Sequence, residues 1–343
     1  MNRTDQLIRP NVKALVPYSS ARDEYEGKEG TFLDANESPF GPYNRYPDPR
    51  QRELRAALSS LRGIAEENIF LGNGSDEVID LCYRIFCNPG TDRTLIFPPT
   101  YGMYQVSAAV NDVEVIKIPL DENFQINLPE VIPLLEDERL KLIFICSPNN
   151  PTGNCMDSGT IEFIIRNFSG IVVLDEAYGD FSGKPSFIEK IGLYDNLVVM
   201  QTFSKAMGMA AARIGMAFAS PDILKYFFRM KPPYNISTLN QEAALQRLRD
   251  FRPIAVQTDT LIAERRRLAE KLVKIPVVEK VWPSDANFLL VRVKDADYIY
   301  NKLIENNIIV RNRSREVSGC LRITAGTRSE NDRLTDELNK IRL

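Results

Sequence analysis

The sequence predicts an α/β fold: a mainly parallel sheet with helices on both faces, followed by a smaller α+β unit. Three observations carry this. Short apolar runs alternate with helix-periodic segments through the centre of the chain, and such alternation builds a parallel sheet. The runs end in polar anchors, and Asn150, Asp175 and Lys205 stand 25 and 30 residues apart, the length of one strand–helix–strand step. The pattern then changes after Pro232-Pro233.

Taken in order, residues 51–62 put Leu54, Leu58 and Leu61 on one helical face. Ser75 precedes a second helix over 76–86, which it can cap, and Asp76 and Glu77 suit its positive end. Four strand-like runs follow. Residues 95–97 lead into Pro98-Pro99-Thr100-Tyr101. Residues 142–146 lead into Ser147-Pro148-Asn149-Asn150-Pro151-Thr152-Gly153. Residues 171–174 lead into Asp175-Glu176-Ala177-Tyr178, and 197–200 into Gln201-Thr202-Phe203-Ser204-Lys205. In an open parallel sheet, ligands bind outside the carboxyl ends of the strands. Anchors scattered in sequence can therefore converge. Beyond Pro233 come a helical stretch over 241–274 broken near Pro253, strands at 286–293, 308–311 and 320–324, and helices over 297–306 and 330–341. The expected division is an arm (1–36) packing with the small unit, a large domain (37–240) and a small domain (241–343). The charged block 264–267 reads as a solvated helix face.

The 343 residues exceed one simple core. A net charge of −3 argues against a dedicated nucleic-acid surface. No apolar run approaches the roughly 20 residues that span a bilayer, and residues 1–10 show no signal-peptide pattern. The expectation is a cytoplasmic protein. Five cysteines without a C-x-x-C pair fit reduced thiols, and Cys82 and Cys146 fit packing roles. The chain has no histidine. That excludes Ser-His-Asp and Cys-His catalysis and removes the commonest metal ligand, so no metal is expected. A nucleotide-hydrolase reading of the Asp175-Glu176 strand would need a Gly-x-x-x-x-Gly-Lys-Ser/Thr loop, which the chain lacks.

Proton chemistry must then use Lys, Asp, Glu, Tyr or a cofactor. A lysine amine is a poor nucleophile unless it is desolvated or held as an imine. Pyridoxal 5'-phosphate does the second, and its ring becomes an electron sink when an acidic partner keeps the pyridinium nitrogen protonated. Lys205 is the candidate amine and Asp175, after four apolar residues, the candidate partner. Asn150 and Tyr178 could donate to the ring's phenolic oxygen, and Tyr101 could stack on its face. Gly74, Ser75 and Asp76 at a helix start, with Thr202, Ser204 and Arg213, offer a phosphate cradle.

The 147–153 loop, Asp175-Glu176-Ala177-Tyr178, and Ser204-Lys205 with Arg213 resemble, in this order, the signature of fold-type-I pyridoxal-phosphate-dependent aminotransferases. The resemblance covers nearly the whole chain. It implies an aspartate-aminotransferase-like large domain with a mainly parallel seven-stranded sheet. Several segments are similar to the histidinol-phosphate aminotransferase family: Pro17-Tyr18-Ser19-Ser20-Ala21-Arg22, Asp34-Ala35-Asn36-Glu37, Asn44-Arg45-Tyr46-Pro47, Pro98-Pro99-Thr100-Tyr101-Gly102-Met103-Tyr104, Asp285-Ala286-Asn287-Phe288 and Gly319-Cys320-Leu321-Arg322-Ile323-Thr324. The resemblance implies that Lys205 is the Schiff-base lysine and that Asp175 binds the pyridine nitrogen. It also implies that Tyr46 reaches the cofactor phosphate of a neighbouring subunit in a homodimer. Arg322, Arg311 and Tyr18 would bind substrate anions, namely histidinol phosphate in one half-reaction and glutamate or 2-oxoglutarate in the other. Arg313 and Arg315 are expected to face solvent.

The segment Gly208-Met209-Ala210-Ala211-Ala212-Arg213 departs from the family pattern, with Ala211 in place of a glycine and Ala212 in place of a larger residue. Alanine would be strained if the backbone there needed positive φ. An aromatic amino-acid aminotransferase and a threonine-phosphate decarboxylase share the scaffold and remain alternatives. A ligand-sensing regulator on this scaffold would carry an added DNA-binding domain, for which the 31 residues before Phe32 leave no room.

Overall fold

Alternate side chains of the central strands feed two separate cores, one on each face of the sheet. The computed structural model describes residues 3–18, 20–25 and 30–342. Residues 1–2, 26–29 and 343, parts of the predicted arm and small domain, lie outside the described residues, as does Ser19 of the Pro17 segment. The strands are β1 (Ile69–Asn73), β2 (Arg93–Ile96), β3 (Glu114–Lys117), β4 (Leu140–Cys146), β5 (Ile171–Asp175), β6 (Leu197–Thr202) and β7 (Ile214–Phe218). In β4, Leu142, Phe144 and Cys146 join one core while Ile143 and Ile145 join the other. In β5, Val173 and Val172 divide in the same way. This is the period-2 pleat of a strand buried on both faces.

The sheet order is β1-β7-β6-β5-β4-β2-β3, with β7 antiparallel to both its neighbours. Strands β4, β5 and β6 are adjacent and parallel, so their carboxyl ends lie side by side. Cys146 pairs with Asp175 and Asp175 with Met200 in register. A second sheet, order β10-β11-β9-β8, consists of β8 (Val278–Val281), β9 (Phe288–Val293), β10 (Arg311–Asn312) and β11 (Cys320–Thr324). It is antiparallel throughout and packs its own core with Leu268, Leu272, Ile299, Leu334 and Leu338.

Four sequence expectations change. The arm is expected to pack with the small unit; its described residues pack against the large one. Ile8 and Val12 are buried with Ile85 and Phe227, the Tyr226 hydroxyl donates to Asp5 at 2.8 Å, and Arg229 donates to the Lys13 carbonyl at 3.0 Å. The arm's apolar residues find their partners on the helices Ser75–Phe86 and Pro221–Met230. The 240/241 division also shifts, because Ala244 and Ile254 belong to the large core while Leu268 and Leu272 belong to the small one. The long helix Arg252–Leu272 thus connects the two. Arg265, expected on a solvated face, is 7% exposed and donates to the Ala286 carbonyl. Ser75 is the first residue of its helix and caps nothing; Gly74 holds the cap position.

Candidate active site

A cavity of about 140 Å³ opens above the carboxyl ends of β4, β5 and β6, lined by Lys205, Asp175, Tyr178, Asn150, Tyr101 and Arg213 among others. Ser75, Asp76, Thr202 and Ser204 complete its polar wall. Eleven of the predicted cofactor positions therefore meet here: ten line the cavity, and Gly74 caps the helix that begins with Ser75. The parallel register is the reason, since neighbouring strands deliver their last residues to one edge.

Asp175 is 3% exposed. Its Oδ2 accepts from the Tyr104 hydroxyl at 2.6 Å and its Oδ1 from the Ala177 N–H at 2.9 Å. Burial pushes this carboxyl up, and those two hydrogen bonds oppose the rise. Across the cavity the Lys205 ammonium lies 5.4 Å from the Tyr178 ring centroid. Burial, reinforced by Arg322, pushes the Lys205 amine down, which favours the neutral, nucleophilic form. Tyr178 is buried and packs edge-on against Phe288 at 5.1 Å.

The candidate anion cradle lies at the start of the helix Ser75–Phe86, where Gly74 at the N-cap supplies no side-chain cap hydrogen bond and Ser75 and Asp76 line the cavity. Arg213 reaches Asp76 at 3.1 Å, and the Tyr101 hydroxyl donates to the other oxygen of Asp76 at 3.1 Å. A Cβ at Gly74, whose φ is +76°, would stand 2.6 Å from Arg213 Nη2. A Cβ at Gly215 would run into the backbone of Gly74 and Ser75. Gly215 is therefore required by close approach to backbone, and Gly74 by its positive φ. The alanines before Arg213 are unstrained: 210–212 form a 3₁₀ turn, and the left-handed conformation falls on Gly208 (φ +69°) and on Arg213 itself (φ 52°).

Arg322 reaches in from the small sheet. Its Nη1 donates to Asn150 Oδ1 at 2.6 Å, and its guanidinium lies 5.3 Å from the Phe288 ring centroid. Its Nε is buried without a hydrogen-bond partner. Arg311 on β10 is the register partner of Arg322 on β11. Like charges directly opposite each other destabilise a sheet, so an anion between them would relieve the pair. Arg313 is half-buried and paired with Glu316 at 2.9 Å, which corrects the solvent-facing expectation, whereas Arg315 is exposed.

Two predicted residues lie elsewhere on this chain. Tyr46 is half-exposed, stacked on Tyr234 at 4.4 Å, beside a surface groove formed with Glu37 and Arg45. Tyr18 is exposed and lines a separate groove with Arg50 and Arg55. Sequence assigns no site role to Cys146, which reads as packing but lines the cavity, or to Tyr104, the buried donor to Asp175. Tyr104 lies in the first turn of the helix Met103–Val110, three residues after Tyr101 in the same 98–104 segment, and that proximity could have pointed to it.

The fold and this site define an aminotransferase. The family model "Aminotransferase class I and II" matches residues 26–338. A histidinol-phosphate aminotransferase from Parabacteroides distasonis is 51% identical over 346 residues, covering 100% of both chains. The crystal structure of the histidinol-phosphate aminotransferase from Clostridium acetobutylicum has a TM-score of 0.80 at 25% identity, covering 87% of this chain and 90% of that one. A Sinorhizobium meliloti structure of the same enzyme, solved in complex with pyridoxal-5'-phosphate, has a TM-score of 0.79 at 24% identity, covering 89% of each chain. The chain belongs to the class I and II aminotransferases and, within them, to the histidinol-phosphate aminotransferase family. Among the described residues no helix is long and apolar enough to cross a membrane.

Proposed function

We propose that the protein transfers the amino group of L-histidinol phosphate to 2-oxoglutarate, giving imidazole-acetol phosphate and glutamate in histidine biosynthesis, with pyridoxal 5'-phosphate as cofactor. The observation that carries this reading is the joint lining of one cavity by Lys205, Asp175, Tyr178, Asn150 and Arg213. Full-length identity of 51% to a named relative supports the substrate.

The donor set fits the cofactor. A buried carboxylate with two donors suits a pyridinium, an uncapped helix start with Arg213, Ser75, Thr202 and Ser204 suits a phosphate, and a desolvated amine suits an aldehyde. When bound, pyridoxal phosphate supplies an electron sink for the bond broken at the substrate's amine-bearing carbon. Lys205 would hold the cofactor and, as a free amine, would take the proton from that carbon and return one on the product side. Asp175 would keep a proton at the ring nitrogen. Tyr178 and Asn150 would donate to the phenolic oxygen, and Tyr101 would pack against the ring. Arg322, with Arg311, would bind the substrate's phosphate or carboxylate, whereas Tyr18 sits in a separate groove of this chain. Tyr46 would complete the cradle of a neighbouring subunit in a cytoplasmic homodimer, with the large and small units on either side of the site.

The test is turnover of the purified protein, supplied with pyridoxal phosphate, on histidinol phosphate, phenylalanine and threonine phosphate in parallel. Transamination of histidinol phosphate at the highest kcat/KM supports the reading. A preference for phenylalanine, or carbon dioxide released from threonine phosphate, would replace it.

A further inference from the structure

Tyr104 does not line the cavity, yet it touches the residue on which the cofactor reading depends. Its side chain is fully buried and its hydroxyl donates to Asp175 Oδ2 at 2.6 Å. The ring is held on two sides, stacked on Phe144 at 4.8 Å and edge-on to Tyr101 at 5.6 Å. The backbone carbonyl of Tyr104 separately accepts from the Tyr83 hydroxyl at 2.8 Å. Asp175 thereby has one donor on each oxygen, Tyr104 on Oδ2 and the Ala177 N–H on Oδ1. Without the first, half of a buried carboxylate would lack a partner, and burial alone favours the neutral acid, which cannot pair with a cation.

We propose that Tyr104 is a positioning residue, fixing the carboxylate of Asp175 in the orientation that grips the cofactor's ring nitrogen. This rests on the pyridoxal phosphate reading. The pair is the functional unit: Asp175 makes the contact, and the Tyr104 hydroxyl keeps its carboxylate in place and hydrogen-bonded. Tyr101 and Tyr178 differ in kind, because they line the cavity themselves.

The test separates grip on the nitrogen from general packing. Affinity of the full-length apoprotein is measured by fluorescence titration for pyridoxal phosphate and for an analogue with carbon in place of the ring nitrogen. Tyr104→Phe is expected to weaken pyridoxal phosphate about tenfold while leaving the analogue within about twofold, since a hydrogen bond to a charged group is lost. Tyr83→Phe removes another hydroxyl from the same core, one bonded to the Tyr104 backbone carbonyl and not to Asp175, and with the Tyr104 hydroxyl still on Asp175 it should not discriminate between the two ligands. Because both ligands are compared on the same protein, any loss of folded material cancels in the ratio. Equal weakening of both ligands in Tyr104→Phe, or the same discrimination in Tyr83→Phe, would reduce Tyr104 to packing and overturn the proposal. Asp175→Asn keeps the two failures apart. If it loses discrimination and Tyr104→Phe does not, the proposal alone falls. If Asp175→Asn itself binds both ligands as the wild type does, the cofactor reading of Asp175 falls and takes the proposal with it.

Discussion

Arg322 of the small sheet donates a 2.6 Å hydrogen bond to Asn150, in the loop that follows β4 in the large one. The contact joins the residue proposed for substrate anions to one proposed for the cofactor, across 172 positions of sequence. Arg322→Gln should lower kcat/KM for histidinol phosphate and for glutamate alike, by at least about 30-fold, since truncating one partner of a buried charged pair costs about 2–5 kcal/mol. Steady-state kinetics on both substrates checks this. A loss confined to one substrate would separate the two anion sites.

Asp175 opposes stability in the absence of cofactor. Its folded-state pKa is raised by burial, so between its unfolded value of about 3.9 and the higher folded value the native state binds more protons than the unfolded one. The contribution of Asp175 to stability therefore falls as pH rises through that window. Apo Asp175→Asn should melt at or above the wild type at pH 7 and lose that advantage towards pH 4. Thermal melts across this range measure it.

Lys205 titrates with the opposite sign. Burial, then Arg322, lowers its folded pKa, so between that value and about 10.4 the unfolded chain binds more protons and stability rises with pH. The Lys205 amine of the apoprotein should react with trinitrobenzenesulfonate at a lower pH than surface lysines, and Lys205→Ala should flatten the rise. Peptide mapping of the labelled lysines gives the order of reaction.

Gly74→Ala and Gly215→Ala should fail differently. At Gly74 the added methyl meets the tip of a movable arginine, so the protein should fold with about 1 kcal/mol lost to positive φ and with weaker cofactor binding as Arg213 is displaced. At Gly215 it meets backbone, so folded protein should not accumulate. Soluble yield and cofactor titration distinguish the two.

If Tyr46 serves the neighbouring subunit, mixing Lys205→Ala with Tyr46→Phe should restore one complete site per mixed dimer. Random mixing predicts about a quarter of wild-type activity. Recovery no greater than the sum of the separate variants would place Tyr46 outside the partner's site.

The strand ends were legible because burial on both faces makes β4, β5 and β6 continuous apolar runs; Asp175 ends one, and Asn150 and Lys205 follow the other two within a few residues. The candidate roles of Lys205, Asp175 and Arg213 came from order, spacing and the family resemblance. What sequence did not reveal depends on tertiary choice. Tyr104 reads as an ordinary core aromatic until its hydroxyl is seen on Asp175. Arg265 reads as a surface cation until the Ala286 carbonyl is seen to accept from it. The edge strands β1 and β3 are short and carry no strong alternation. The arm's partner was misjudged because Ile8 and Val12 specify an apolar contact but not which helices supply it.

The most direct measurement is the absorption spectrum of the purified protein with pyridoxal phosphate, before and after borohydride, followed by mass spectrometry of its peptides. The expected result is a visible band that reduction abolishes, a cofactor-sized mass on the peptide carrying Lys205, and neither in Lys205→Ala. No visible band after adding the cofactor, or the label on a different lysine, would contradict the assignment of the site.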